Sequence, residues 1–83
     1  MLRIAEYNKI TGKKIDLKEL EKYGFKYKPR GAEGFDFERF EKGNMFVSVD
    51  VRPREIVNSG EDDTLYDLIQ AGIVVKEWLY AIF

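Results

Sequence analysis

The stretch Phe35-Asp36-Phe37-Glu38-Arg39-Phe40-Glu41-Lys42-Gly43-Asn44-Met45-Phe46-Val47-Ser48-Val49-Asp50-Val51 decides the fold. Two runs within it, Phe35 to Phe40 and Met45 to Val51, alternate apolar and polar residues, the signature of half-buried strands. Between them, Lys42-Gly43-Asn44 reads as a three-residue loop that closes on a left-handed residue, a conformation Asn tolerates. That loop predicts an antiparallel hairpin in which Phe37 pairs with Val49 and Phe35 with Val51, so that apolar side chains share one face. A slip by a single residue would set Phe37 against Ser48 and lose the match. Pro53 cannot donate to a ladder, so it ends the second strand or sits at an edge or bulge. Arg54 to Val57 reads as a further short strand.

On the N-terminal side, Phe25-Lys26-Tyr27-Lys28 alternates and reads as another strand, and Pro29, Gly31 and Gly34 then open a loop. Before it comes a short helix over about 17–23 with signals at both ends. Asp16 is a good N-cap, Glu19 stands where a capping box needs it, and Ile15 with Leu20 has hydrophobic-staple spacing. Gly24 occupies the position where a left-handed residue ends a helix, and Phe25 can fold back on Leu20 in a Schellman ending. Thr11-Gly12-Lys13-Lys14 reads as a turn. In residues 1–10, Leu2 and Ile4 alternate with charged residues as in a strand, and a frayed helix fits nearly as well.

On the C-terminal side, Asn58-Ser59-Gly60 is a loop, and Glu61, Asp62 and Asp63 place carboxylates at a helix start, where the macrodipole favours them. Leu65, Leu68 and Ile69 form a helical stripe that Gly72 closes. The remainder, Ile73 to Phe83, is rich in β-branched and aromatic residues and reads as a strand apolar on both faces, central or doubly covered. A helix also fits its length. The fold class expected is α+β: a mostly antiparallel sheet of three to five strands with two short helices packed on one face, in a single domain over residues 1–83.

Composition bounds the function. A chain of 83 residues has a thin core, and with neither Cys nor His it has no disulfide and no imidazole ligand to staple it. Twelve aromatics, six Phe, five Tyr and one Trp, supply the large buried areas instead. The same absences remove the usual general base and thiol nucleophile. Ser48 and Ser59 lack the glycines of a nucleophile elbow, and no phosphate-binding glycine loop is present. An enzyme is therefore not expected, nor a cofactor. No signal peptide or membrane span is legible, so a cytoplasmic location is expected.

Charge is uneven. Residues 1–30 hold nine Lys/Arg against four Asp/Glu, and residues 31–83 hold five against eleven. The plainer reading is two halves that attract within one fold; the other is a basic and an acidic face that meet different partners.

Two stretches, Leu20-Glu21-Lys22-Tyr23-Gly24-Phe25 and Leu65-Tyr66-Asp67-Leu68-Ile69-Gln70-Ala71-Gly72-Ile73-Val74, resemble segments of small uncharacterised proteins of Gram-positive bacteria and their phages or prophages. The resemblance implies a small cytoplasmic accessory protein and no activity. Both stretches are helix-plus-glycine endings, which arise from folding constraints in unrelated chains.

Three surfaces merit testing. Lys26, Lys28 and Arg30 recur with a period of two and share one strand face, where they can track phosphates or meet a partner, with Lys13, Lys14, Lys18 and Lys22 extending the patch. Phe25 and Tyr27 then point to the opposite face and pack in the core. Trp78, Tyr80 and Phe83, with Leu79 and Ile82, end the chain and can join a second copy if the tail is an edge. In the predicted hairpin register Asp36 lies opposite Asp50 with Glu38 nearby, which a hard divalent cation would relieve; Arg52 beside Asp50 does the same without a metal. The function expected is a non-enzymatic binding or regulatory module acting on an unidentified protein partner. Nucleic-acid binding through the basic N-terminal third is the alternative, and a divalent-metal enzyme the distant third.

Overall fold

The computed structural model of the chain describes residues 1–58, 60 and 63–76. Its strands are β1 (Leu2–Ile4), β2 (Lys26–Lys28), β3 (Arg39–Lys42), β4 (Met45–Ser48), β5 (Ile56–Val57) and β6 (Val74–Lys76). They form an antiparallel four-stranded sheet in the order β2-β3-β4-β5 and an antiparallel pair β1-β6. A 3₁₀ helix, Leu17–Tyr23, packs beside β2, and the helix α1 (Asp63–Gln70) packs beside β6. The fold is α+β and antiparallel, as the sequence predicts, with the strands divided between two sheets.

Both helices end in the same device. Gly24 lies at φ +94° and Gly72 at φ +81°. The Phe25 N–H donates to Leu20 O (3.2 Å) and the Ile73 N–H to Leu68 O (3.0 Å), the six-to-one bond of a Schellman motif. Leu20, Phe25, Leu68 and Ile73 are all buried, so each helix folds its following residue back into one core with Ile4, Val47 and Ile56. At the other end of the first helix the capping box is complete: Asp16 accepts from the Lys18 N–H (2.9 Å) and Glu19 accepts from the Asp16 N–H (3.2 Å). In α1, Leu65 and Leu68 are buried, whereas Ile69 is exposed, so the stripe is narrower than predicted. Glu61 and Asp62 lie outside the described residues.

The hairpin differs from its predicted register. Gly43 at φ +62° and Asn44 form a two-residue turn with Gly first, the type II′ arrangement whose twist suits flanking strands. Lys42 therefore faces Met45, Phe40 faces Val47 and Arg39 faces Ser48. This register is one residue away from the predicted one, and because side chains alternate, it moves Phe35 and Phe37 off the Val47 and Val49 side. Neither the Phe37–Val49 nor the Phe35–Val51 pair forms. Residues 35–38 instead leave the ladder, and only a Val49 N–H to Glu38 O bond (3.1 Å) continues it. The shorter turn wins because it puts Phe40, Met45 and Val47 together in the core.

Residues 1–10 resolve to the strand reading at β1. Beyond it, Asn8 organises a loop across to Gly72. Its side chain donates to Ala71 O (3.0 Å) and accepts from the Ile10 and Thr11 N–H groups (2.7 and 3.0 Å). The Lys9 N–H donates to Gly72 O (2.9 Å). The described part of the tail, β6, pairs only with β1 among the described strands.

Candidate functional site

The inner face of the four-stranded sheet is not fully covered. Between it and the N-terminal segment runs an open cleft of about 1170 Å³. The floor is apolar: Ile4 at the end of β1 and Ala5 after it, Ile15 and Leu17 at the start of the 3₁₀ helix, and Phe40 and Val49 from the hairpin. The rim is charged, with Arg3, Lys14, Lys18, Arg52 and Arg54 facing Glu6, Asp16, Glu21 and Glu38.

Tyr27 stands at one wall. Sequence alternation predicts it in the core, but it is 42% exposed, because β2 is the sheet's edge and the cleft lies beside it. Its ring tilts against Phe40 (5.4 Å between centroids), and its hydroxyl donates to a Glu38 carboxylate oxygen. That bond is the main reason the phenol is held above its ordinary pKa; loss of surrounding water and the charges of Glu38 and Asp50 add to it.

At the opposite wall the turn after β4 brings two arginines together. Arg52 Nη1 and Arg54 Nε both donate to the carbonyl of Val49, at 2.9 and 3.3 Å. The backbone here is fixed from both sides: Ile4 N–H donates to Arg54 O (2.9 Å) and Glu55 N–H to Pro53 O (2.9 Å). The Arg54 guanidinium is held below its usual pKa by partial burial first and by the like charge of Arg52 second, with Asp50 and Asp16 opposing. Among the described residues neither arginine forms an ion pair.

The outer face of the same sheet carries a second cluster. Arg39 is buried to 1% exposure. Its Nε donates to Glu41 (2.9 Å), its Nη2 donates to Glu33 (3.2 Å) and to Ala32 O (3.3 Å), and Nη1 is buried without a hydrogen-bond partner among the described residues. Phe35 covers the guanidinium, while Phe37 packs on Phe46 (5.7 Å between centroids). Residues 31–38 are thus a strap pinned over the sheet by a buried cation, which is where the slipped phenylalanines went. A shallow cavity of about 780 Å³ opens beside it.

The basic strand residues fall on this outer face and are largely neutralised. The register sets Lys26 opposite Glu41 and Lys28 opposite Arg39. Lys28 pairs with Glu33 (3.3 Å), and Arg30 donates to Asp36 O (3.0 Å) and lies 3.8 Å from its carboxylate. Lys14 and Lys18 sit on the cleft rim instead, so the predicted patch is split between two faces. Asp36 is held by Arg30 and has no strand partner, so the opposition to Asp50 that would draw a cation does not exist. Among the described residues no three acidic side chains gather as a metal site. Trp78, Tyr80 and Phe83 lie outside the described residues. No described helix is long and apolar enough to cross a membrane.

Sequence reasoning passed over Arg39, took Arg52 only as a neutraliser of Asp50, and read Arg54 only as the start of a strand. Arg39 follows Phe35 and Phe37 at a spacing of two, which stacks a cation among rings on one face, and Arg-Pro-Arg directly after a strand concentrates charge at a fixed turn. Compared with family models, curated proteins and solved structures, the chain matches none.

Proposed function

We propose that this chain is a small non-enzymatic binding module that acts through protein–protein contact, and that the inner-face cleft is the surface it uses. One observation carries the reading: within a charged rim the cleft presents half-buried Val49 and the 42% exposed Tyr27 over a floor formed by the edges of the otherwise buried Ile15, Leu17 and Phe40. A polypeptide segment satisfies both parts, burying apolar side chains on the floor and meeting charges at the edge. A regulatory role in the cytoplasm belongs to the same proposal, and so does a phage or prophage origin, which rests on the two resembling stretches. Nucleic-acid binding is the weaker reading, because Lys28 and Arg30 already face Glu33 and Asp36.

The test is photo-crosslinking in cells from a reactive amino acid placed at Lys18, on the rim, and at Tyr66, on the exposed side of α1. The cleft position is expected to trap a discrete protein that resists nuclease and disappears when Val49→Glu fills the floor with charge. Equal trapping from both positions, or a nuclease-sensitive product, removes the proposal.

A further inference from the structure

Resting on the cleft as a polypeptide site, we infer that Arg52 and Arg54 form a carboxylate-binding subsite at its wall, so that the partner segment is acidic. Arginine carries five N–H donors, and the two bonds to Val49 O together use one from each residue. Arg54 donates through Nε, which leaves both terminal nitrogens without a partner among the described residues. Those two nitrogens are one edge of the guanidinium fork, the geometry that accepts a carboxylate with two parallel bonds.

The charge arrangement points the same way. The shared carbonyl holds two like charges side by side, and no acidic side chain among the described residues closes on either. Of the rim acids, Glu38 accepts the Tyr27 hydroxyl and Asp16 caps the 3₁₀ helix, and Asp50 and Asp16 act on Arg54 through space without an ion pair, which leaves its terminal nitrogens open to an incoming carboxylate. An incoming carboxylate offsets the like charge of Arg52 beside the partly buried Arg54, and it does so next to an apolar floor, where charge-assisted bonds are stronger than in water. The positions are set in advance: Ile4 fixes the Arg54 backbone, and the Val49 carbonyl orients both side chains. Free phosphates share the chemistry, but the apolar floor next to the pair suits side chains and not a sugar–phosphate strand.

The experiment is a nuclear magnetic resonance titration that follows the arginine Nε–H signals and the backbone amides of Ile15, Leu17 and Phe40. The probes are the blocked peptide acetyl-Leu-Glu-Leu-Glu-Leu-amide, its Gln counterpart, and an oligothymidylate. The Glu peptide is expected to shift the Arg52 and Arg54 signals, to weaken with added salt, and to bind about ten-fold more tightly than the Gln peptide, the factor a charge-assisted bond supplies. Arg54→Gln and Arg52→Gln should each erase that preference, whereas Arg30→Gln on the outer face keeps it. If both peptides move the floor amides equally, the carboxylate subsite is wrong and the polypeptide cleft stands. If neither moves them, both fall. If the oligothymidylate shifts the arginine signals at lower concentration than the Glu peptide, the partner is not an acidic polypeptide. Because the wild-type chain carries these readouts, a variant that misfolds leaves the outcome decided.

Discussion

The guanidinium carbon of Arg39 lies 4.3 Å from the centre of the Phe35 ring, a buried cation beneath an aromatic cover on the outer face of the sheet. The ring is still 44% exposed, so the cover is thin and the cation holds the strap more than the strap hides the cation. Removing the cation strands Glu41 in a partly buried position and frees Phe35 and Phe37 from their seat. Arg39→Ala is expected to cost about 3 kcal/mol in urea unfolding, the range for breaking a buried pair on one side. Replacing both partners, Arg39→Met with Glu41→Leu, should bring stability back to within about 1 kcal/mol of the parent, since no charge is then left to desolvate. A cost for Arg39→Ala no larger than that of the double variant would show that the ion pairs do not hold the strap.

Gly72 and Asn8 meet so closely that a β-carbon on Gly72 would stand 3.0 Å from the Ile10 nitrogen and closer still to the Asn8 carboxamide oxygen. That oxygen accepts from Ile10 and Thr11, so it cannot move aside without giving up both bonds. Gly12 has a similar positive φ, with open space around it. Gly72→Ala is therefore expected to destabilise by about 2–3 kcal/mol, and Gly12→Ala by about 1, the cost of the left-handed backbone alone. Asn8→Ala should cost about 2–3 kcal/mol through its lost bonds. Thermal unfolding of the three variants gives the order directly. Equal losses for the two glycines would deny the contact.

What the sequence made legible follows the range of the interactions. The capping box at Asp16 and Glu19 and the glycine endings at Gly24 and Gly72 are local devices, encoded within a handful of neighbours, and all three form. The hairpin was legible as a hairpin but not in register, because Lys42-Gly43-Asn44 fits two turns of different length and the choice is made by Phe40 and Val47 meeting across the sheet. That slip carried Phe35 and Phe37 to the outer face, where they cover Arg39. Tyr27 escaped for a related reason: alternation tells which face a side chain takes, not whether anything lies over it. The cleft assembles residues 3–6, 14–18, 21, 27, 38, 40, 49 and 52–54, and no local pattern announces a surface made that way.

The first helix is short and 3₁₀, so its bonds are poorly aligned and it depends on its ends. Asp16→Ala removes the acceptor for the Lys18 N–H and should cost about 1 kcal/mol. Glu19→Ala removes the reciprocal half and should cost less, since the Asp16 N–H is exposed and water replaces the carboxylate. Glu19→Gln keeps an acceptor and is expected to stay near the parent. Denaturant midpoints test the order; a Glu19→Ala loss larger than that of Asp16→Ala would mean the carboxylate serves something besides the cap.

The Tyr27 hydroxyl and Glu38 tie β2 to the segment before β3 across the cleft wall, and the bond has a pH signature. The folded chain keeps the phenolic proton to higher pH than the ordinary value of 10.0, because ionising Tyr27 would break the bond and place an anion against the Glu38 carboxylate. The unfolded chain loses its proton first as pH rises. The stabilisation is thus fully present below the unfolded-state value and disappears as pH climbs through the raised one. Glu38→Gln removes the charge and should bring the Tyr27 transition down toward its ordinary position, read from the ring carbon resonance bearing the hydroxyl. Tyr27→Phe should flatten the alkaline part of the stability profile that this residue contributes. A Tyr27 transition unmoved by Glu38→Gln would mean that the surrounding apolar surface, and not the carboxylate, holds the proton.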